Sequence, residues 1–333
     1  SGAEVITHFQ FTTFPFGAEQ LDAAVLDVDG IPRRRYFELK DAAKDLTVLR
    51  HILNNSVIEN EVAICFDYDT LWSLRIKPVS KEFDYVSYCS QIHAGLIGLG
   101  VGADMIQMDE GINRYKFVII PAPFIMKEEF KGILKKYVKN GGIVLSTFLS
   151  AVNDTYNVAI KDSTPCGLTD LFGIRVGEVE PVFAGSVAEI ILSINASVHK
   201  GSNKFWTESL EPFGAKTIGI YANTFRKGEG VVSVNTFGKG RAYYMGTALD
   251  AGLFNSLIEN IIMENGIKRA PFKIDSGVEI VERNYKGKKI YFVFNFRQEE
   301  YILRLNKVYK DLMGNKVLEE EAAIGPKGYL VLE

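Results

Sequence analysis

The sequence of 333 residues has only three cysteines, Cys65, Cys89 and Cys166, an odd number at no ligand-like spacing. This argues against a disulfide framework or a cysteine-based metal site, and reduced, buried thiols in a cytoplasmic protein are the expectation. The four histidines, His8, His51, His93 and His199, form no His-x-x-x-His pair, so no metal signature is present. Neither sign of charge dominates, with 38 Lys and Arg against 41 Asp and Glu and a net charge of -3. No basic surplus is left to neutralise phosphates or anionic lipid, so nucleic acid is not an expected partner. Long apolar runs are lacking too. The stretch at residues 117–126 is broken by Pro121 and Pro123 and falls short of the ~20 residues a membrane helix requires. At Ser1-Gly2-Ala3-Glu4 there is neither a basic leader nor a start methionine, so no signal peptide is expected and the chain reads as a piece of something longer.

What is present is ordinary globular composition, 47% hydrophobic and 24% charged, with length enough for two or three domains. Residues 1–56 read as one βα unit: an apolar strand Val5-Ile6-Thr7-His8-Phe9-Gln10-Phe11, a loop with Pro15 and Gly17, and a helix from about Tyr36 to Leu53. One strand with one helix cannot cover both its faces, so either something upstream covers it or this end is frayed. Residues 57–270 alternate short β-branched runs with amphipathic helices. Val62-Ala63-Ile64-Cys65-Phe66, Met105-Ile106, Phe117-Val118-Ile119-Ile120 and Ile143-Val144-Leu145-Ser146 are expected strands, with helices over residues 85–97, 127–139 and 253–265. Later strands are expected at residues 217–221, 231–234 and 241–245. This pattern predicts a flavodoxin-like, doubly wound parallel α/β sheet, and Asn140-Gly141-Gly142 supplies a left-handed helix stop. Residues 271–333 switch to period two, at residues 278–283, 289–296, 301–305 and 328–332, which predicts a small antiparallel β domain.

Three local features bear on chemistry. Gly95, Gly98, Gly100 and Gly102 follow a helix and lead into a strand, the reverse of a phosphate-cradling loop, so they read as a helix stop and no cofactor is expected. The doubly wound segment resembles class I glutamine amidotransferases, but the cysteine on a strand-to-helix elbow that such chemistry needs is missing. Cys65 lies inside a strand and Cys166 in a Thr-Pro-Cys-Gly loop. The third feature is Phe9-Gln10-Phe11-Thr12-Thr13-Phe14-Pro15-Phe16-Gly17-Ala18-Glu19-Gln20. Aromatic faces can cover the apolar C–H face of a pyranose while a carboxylate accepts from its hydroxyls. The plainer alternative places Glu19 near a helix start and the phenylalanines in a core.

Phe9-Gln10-Phe11, Phe16-Gly17-Ala18-Glu19-Gln20 and Gly30-Ile31-Pro32-Arg33-Arg34-Arg35-Tyr36-Phe37-Glu38 resemble the last barrel strand and helix of family 42 β-galactosidases. Val62-Ala63-Ile64-Cys65-Phe66-Asp67-Tyr68-Asp69-Thr70-Leu71-Trp72, Tyr137-Val138-Lys139-Asn140-Gly141-Gly142 and Gly238-Lys239-Gly240-Arg241-Ala242-Tyr243-Tyr244-Met245-Gly246-Thr247 resemble that family's second domain. The resemblance implies a catalytic (β/α)₈ barrel, an α/β domain used to assemble a homotrimer, and a C-terminal β domain. It also implies retaining cleavage of terminal β-galactosides by two glutamates whose carboxyls lie ~5–5.5 Å apart. Both are implied to lie upstream, so no residue of this chain is expected to be catalytic. The implied sugar contacts are Phe9, which matches an aromatic of the pocket, and Glu19, which matches a glutamate bonding the hydroxyls. Phe11 and Asp22 stand at further contact positions, where the family pattern has Trp and His, and Thr12 replaces an Arg. The alternative is a non-catalytic assembly or sugar-binding module that kept an amidotransferase-like fold.

Overall fold

The computed structural model describes Ala3, residues 5–183 and residues 187–333. Of Ser1-Gly2-Ala3-Glu4, considered above for a leader, only Ala3 is among them. The chain divides into two compact units, Asn60–Ser276 in one and Ser1–Glu59 with Gly277–Glu333 in the other.

A helix α1 (Arg34–Asn54) leads into a two-residue strand β1 (Ser56–Val57). The larger unit then runs β2 (Val62–Cys65), α2 (Tyr68–Ile76), α3 (Tyr85–Gly98), β3 (Ala103–Ile106), β4 (Phe117–Ile120), α4 (Glu128–Lys139) and β5 (Ile143–Thr147). It continues through α5 (Thr169–Phe172), β6 (Ile174–Pro181), β7 (Glu189–Ile194), β8 (Ser197–Pro212) and β9 (Lys216–Tyr221). It closes with β10 (Gly230–Phe237), β11 (Gly240–Met245), β12 (Thr247–Leu249) and α6 (Ala251–Glu264).

Strands β2, β4 and β5 are buried along their whole length, as expected of short apolar runs in a sheet covered on both faces. Their side chains alternate between two cores. Val62 and Ile64 point to the side that holds Leu96, Leu257 and Ile261 of α3 and α6, and Ala63 and Cys65 to the side that holds Phe130, Leu134 and Val138 of α4. Helix starts are fixed by aspartates: Asp67, Asp84 and Asp250 accept from the backbone N–H of Thr70, Ser87 and Leu253. Helix α4 stops at Asn140, and Gly141 follows at a φ of 116° that favours glycine.

The purely parallel doubly wound sheet requires correction. Only the segment β3-β2-β4-β5-β11 is parallel, and beyond β11 the same sheet continues antiparallel through β10, β9, β7, β8 and β12, with β6 on β8. Strands β7 and β8 form a hairpin over Asn195 and Ala196, both at positive φ, the backbone demanded by a two-residue turn that matches strand twist.

The smaller unit contains the antiparallel β domain: β13 (Val278–Tyr285), β14 (Lys288–Asn295), β15 (Tyr301–Arg304), β16 (Tyr309–Asp311), β17 (Lys316–Leu318), β18 (Glu321–Ile324) and β19 (Tyr329–Leu332). One sheet runs β1-β13-β14-β19-β16-β17, and β15 pairs with β18. Helix α1 packs on this sheet, with Leu49 buried against Ile290, Phe292 and Val331 and with Ile52 and Leu53 beside it. The expected strand at residues 5–11 does not form: Val5 and Ile6 are exposed, and pairing begins only at Gln10 and Phe11, whose carbonyls accept from Val25 and Leu26. An extended segment becomes a strand only when neighbours take up its N–H and C=O groups, and among the described residues no such neighbour flanks residues 5–9.

Candidate functional site

The four residues expected to meet a sugar lie in one loop-rich segment before α1. Phe9 and Phe11 are 79% and 60% exposed, and Phe14 and Phe16 beside them are exposed too, with ring centroids 6.5 Å apart. Within this chain, then, the four rings pack into none of its cores. Glu19 and Asp22 sit on one turn, the backbone N–H of Asp22 donating to the Glu19 carbonyl at 3.3 Å. Both carboxylates are exposed and make no side-chain hydrogen bond or ion pair among the described residues. Thr13 holds the turn against the loop that follows: its Oγ1 donates to the Asp22 carbonyl at 3.1 Å and its N–H to the Leu26 carbonyl. Further on, Asp29 accepts from Arg33, whose bonds hold its carboxyl down at about 2.

The segment thus presents aromatic faces and unpaired carboxylates outward from a backbone tied at residues 10–13 and 22–26. Such a surface can bind a polyhydroxylated ring.

Sequence reasoning missed two carboxyls in the larger unit. Glu208 is fully buried on β8, and burial pushes it up to about 7 although Leu149, Tyr244 and Trp206 all donate to it. With no exposure to a substrate, it is a structural group rather than half of a catalytic pair. Asp67, at the start of α2, is raised by partial burial while its side chain caps the helix. An aspartate three residues before Thr70 is a local signal by which the Asp67 cap could be found, whereas nothing local marks Glu208. The three cysteines are all buried, and burial raises each thiol, so none is poised as a nucleophile. Among the described residues no group of three or more His, Cys, Asp or Glu is placed to hold a metal, and no helix is long and apolar enough to cross a membrane.

Residues 60–268 match the family model described as "Beta-galactosidase trimerisation domain", and residues 277–333 match "Beta-galactosidase C-terminal domain". The chain belongs to the family 42 glycoside hydrolases. Its two matched segments follow the two structural units, with the join near Ser276. Residues before 60 lie outside both family models, yet whole-chain similarity to family 42 members includes them. The β-galactosidase BgaA of Clostridium cellulovorans is 28% identical over 334 residues, which cover 100% of this chain and 50% of that protein. The β-galactosidase LacZ of Lactobacillus acidophilus is 29% identical, over 94% of this chain and 48% of its own length. The crystal structure of the β-galactosidase from Bacillus circulans sp. alkalophilus superposes with a TM-score of 0.92 at 26% identity, covering 97% of this chain and 49% of that one. The chain spans about half the length of the family 42 relatives it matches.

Proposed function

We propose that the chain is the C-terminal portion of a longer retaining β-galactosidase acting on terminal β-D-galactosides, for which it supplies sugar contacts and homotrimer assembly. The observation that carries this reading is the ordered pair of family 42 matches over residues 60–268 and 277–333, with whole-chain similarity to β-galactosidases at half their length. Retaining hydrolysis needs an acid/base and a nucleophile carboxyl ~5–5.5 Å apart, and no residue of this chain is assigned to either role. Residues 1–56 are read as the last βα unit of the catalytic barrel, residues 57–270 as the assembly domain and residues 271–333 as the C-terminal β domain. Phe9 and Phe11 would stack on the galactose ring, and Glu19 and Asp22 would accept from its hydroxyls. Asp22 only accepts, where a neutral imidazole could also donate, which bears on which hydroxyls are favoured.

The larger unit's role in assembly rests on the trimerisation description of the model it matches. Its parallel strands, numbered along the chain, run 2-1-3-4-5, the flavodoxin-like order, which supports that assignment for this half of the sheet. No cofactor is invoked, and the whole enzyme is placed in the cytoplasm. The test is hydrolysis of a chromogenic β-galactoside by this chain and by the longer protein. Activity confined to the longer protein, with the product's anomeric configuration retained, is expected. Hydrolysis by the chain alone would reveal a carboxyl pair within it, and an inverted product would overturn the mechanism.

A further inference from the structure

Strands β2 and β4 are neighbours, but the chain leaves them in opposite directions: β2 leads by way of α2 and α3 to β3 on its outer side, and β4 leads by way of α4 to β5. The loops at their carboxyl ends therefore diverge and leave a crevice between them, the place where open α/β sheets take ligands. A crevice of about 230 Å³ lies there, lined by Asp67, Asp69 and Trp72 after β2, Gln107 after β3 and Lys127 after β4.

Its walls are of two kinds. Tyr68 and Trp72, 60% and 56% exposed, hold their ring centroids 5.8 Å apart at a tilt of 41°, and Phe66 meets Tyr68 edge-on at 5.2 Å. Large aromatics in that condition form a platform still open to water. Opposite in character are Asp69, Gln107 and Lys127, whose side chains make no hydrogen bond or ion pair among the described residues. They offer an acceptor, a mixed group and a donor. Asp67 is already committed, its carboxylate accepting from the Thr70 N–H at 2.7 Å.

This chemistry selects among ligands. Two carboxylates oppose a phosphate or another anion, and one lysine does not outweigh them. No set of three ligating side chains exists here for a bare cation. An apolar ligand would strand the unpaired polar tips. A neutral, polyhydroxylated ring satisfies both kinds of wall, with its C–H face on the aromatics and its hydroxyls donating and accepting at the rim. We infer that the switch-point crevice binds a sugar ring, with Trp72 and Tyr68 as the stacking surface and Asp69, Gln107 and Lys127 bonding its hydroxyls. The choice of galactosides as probes rests on the function proposed above.

The sequence has only two tryptophans, Trp72 and Trp206, so labelling the 333-residue chain with 5-fluorotryptophan gives two ¹⁹F resonances. Titration with methyl β-D-galactopyranoside and with lactose is expected to shift the Trp72 resonance saturably, leaving Trp206 in place. Calorimetry with Trp72→Ala should show affinity lowered about tenfold or more, and with Asp69→Asn severalfold, both variants keeping the wild-type circular dichroism. No saturable shift, a shift of Trp206 alone, or affinity unchanged in both variants would each overturn the proposal. Hydrolysis by the longer protein is scored separately, so binding without hydrolysis removes the galactosidase reading and keeps the crevice, whereas hydrolysis without binding here removes the crevice alone.

Discussion

Glu208 Oε2 accepts a hydrogen bond of 2.8 Å from Tyr244 Oη, and both residues are buried. The other carboxyl oxygen accepts from the Leu149 N–H at 2.8 Å and from the Trp206 indole at 3.2 Å. One side chain on β8 thereby ties the antiparallel half of the sheet to β11 and to the loop after β5, across the boundary where strand direction changes. Desolvation outweighs the three donors and leaves the carboxyl half-protonated at about 7, while the Tyr244 phenol, raised well above its ordinary value, stays neutral.

That shift makes stability depend on pH in a definite sense. In the unfolded chain the group titrates near 4.5 and in the folded protein near 7, so between these values the folded state holds more protons. The contribution is therefore complete below about 4.5 and is lost as pH rises to about 7, an amount on the order of 3 kcal/mol. Asp67, also raised by burial, acts with the same sign, whereas the lowered Asp250 and Glu61 act on the acid side. Urea denaturation across this range should show the decline in the wild type and a flatter profile in Glu208→Gln, whose amide oxygen can accept from Leu149 and Trp206 while its nitrogen donates to Tyr244 Oη, reversing that bond. An equally steep decline in the variant would show that another group is responsible.

A second prediction concerns Gly240, at the start of β11. A Cβ there would stand 2.2 Å from the carbonyl oxygens of both Gly142 and Val138. These are backbone atoms at the end of α4 and the start of β5 and cannot rotate away as a side-chain tip would. Gly240→Ala should cost about 3 kcal/mol or more, beyond ordinary overpacking. Gly132, exposed on α4 with open space around its Cβ position, is the control. Gly132→Ala should be neutral or slightly stabilising. Equal melting temperatures for the two variants would refute the steric argument.

Strands β2, β4 and β5 were legible because a buried parallel strand must be apolar on both faces, and four or five such residues bounded by turns leave little choice. Strand β8 was not. Its sequence, Ser-Val-His-Lys-Gly-Ser-Asn-Lys-Phe-Trp-Thr-Glu-Ser-Leu-Glu-Pro, is exposed over much of its length and buries Glu208, Asn203 and Thr207 through hydrogen bonds instead of apolar alternation. Its hairpin turn, Asn195-Ala196, lacks the glycine that usually marks positive φ. Residues 5–11 erred in the other direction, because an apolar run signals a strand but does not supply the neighbours that complete one. Phe9 and Glu19 were chosen through family resemblance, with the sugar-binding logic of aromatic and carboxylate as support. The crevice with Asp69, Gln107 and Lys127 was invisible, since its residues lie far apart in sequence and meet only because β2 and β4 send the chain in opposite directions.

The final prediction tests the union of α1 with the C-terminal β domain. Leu49 is the one fully buried residue of this 21-residue helix, and it packs on Ile290, Phe292 and Val331. Helix propensity alone does not hold a helix in place in water, so this contact should dominate its docking. Beyond the helix end, Arg283 on β13 donates from Nε to Ser56 Oγ at 2.7 Å and from Nη2 to the carbonyls of Leu53 and Ser56 at 3.2 and 2.9 Å. It thus satisfies a carbonyl in the last turn that has no partner within the helix. Leu49→Ala should cost about 2–4 kcal/mol, and Arg283→Met about 1–3 kcal/mol. In either variant, hydrogen exchange should quicken along α1 and β1 before it changes in β2, β4 and β5, because the helix and the parallel sheet belong to different units. Uniform acceleration throughout the chain would mean that the two units unfold together, and unchanged protection of α1 in both variants would mean that something else secures the helix.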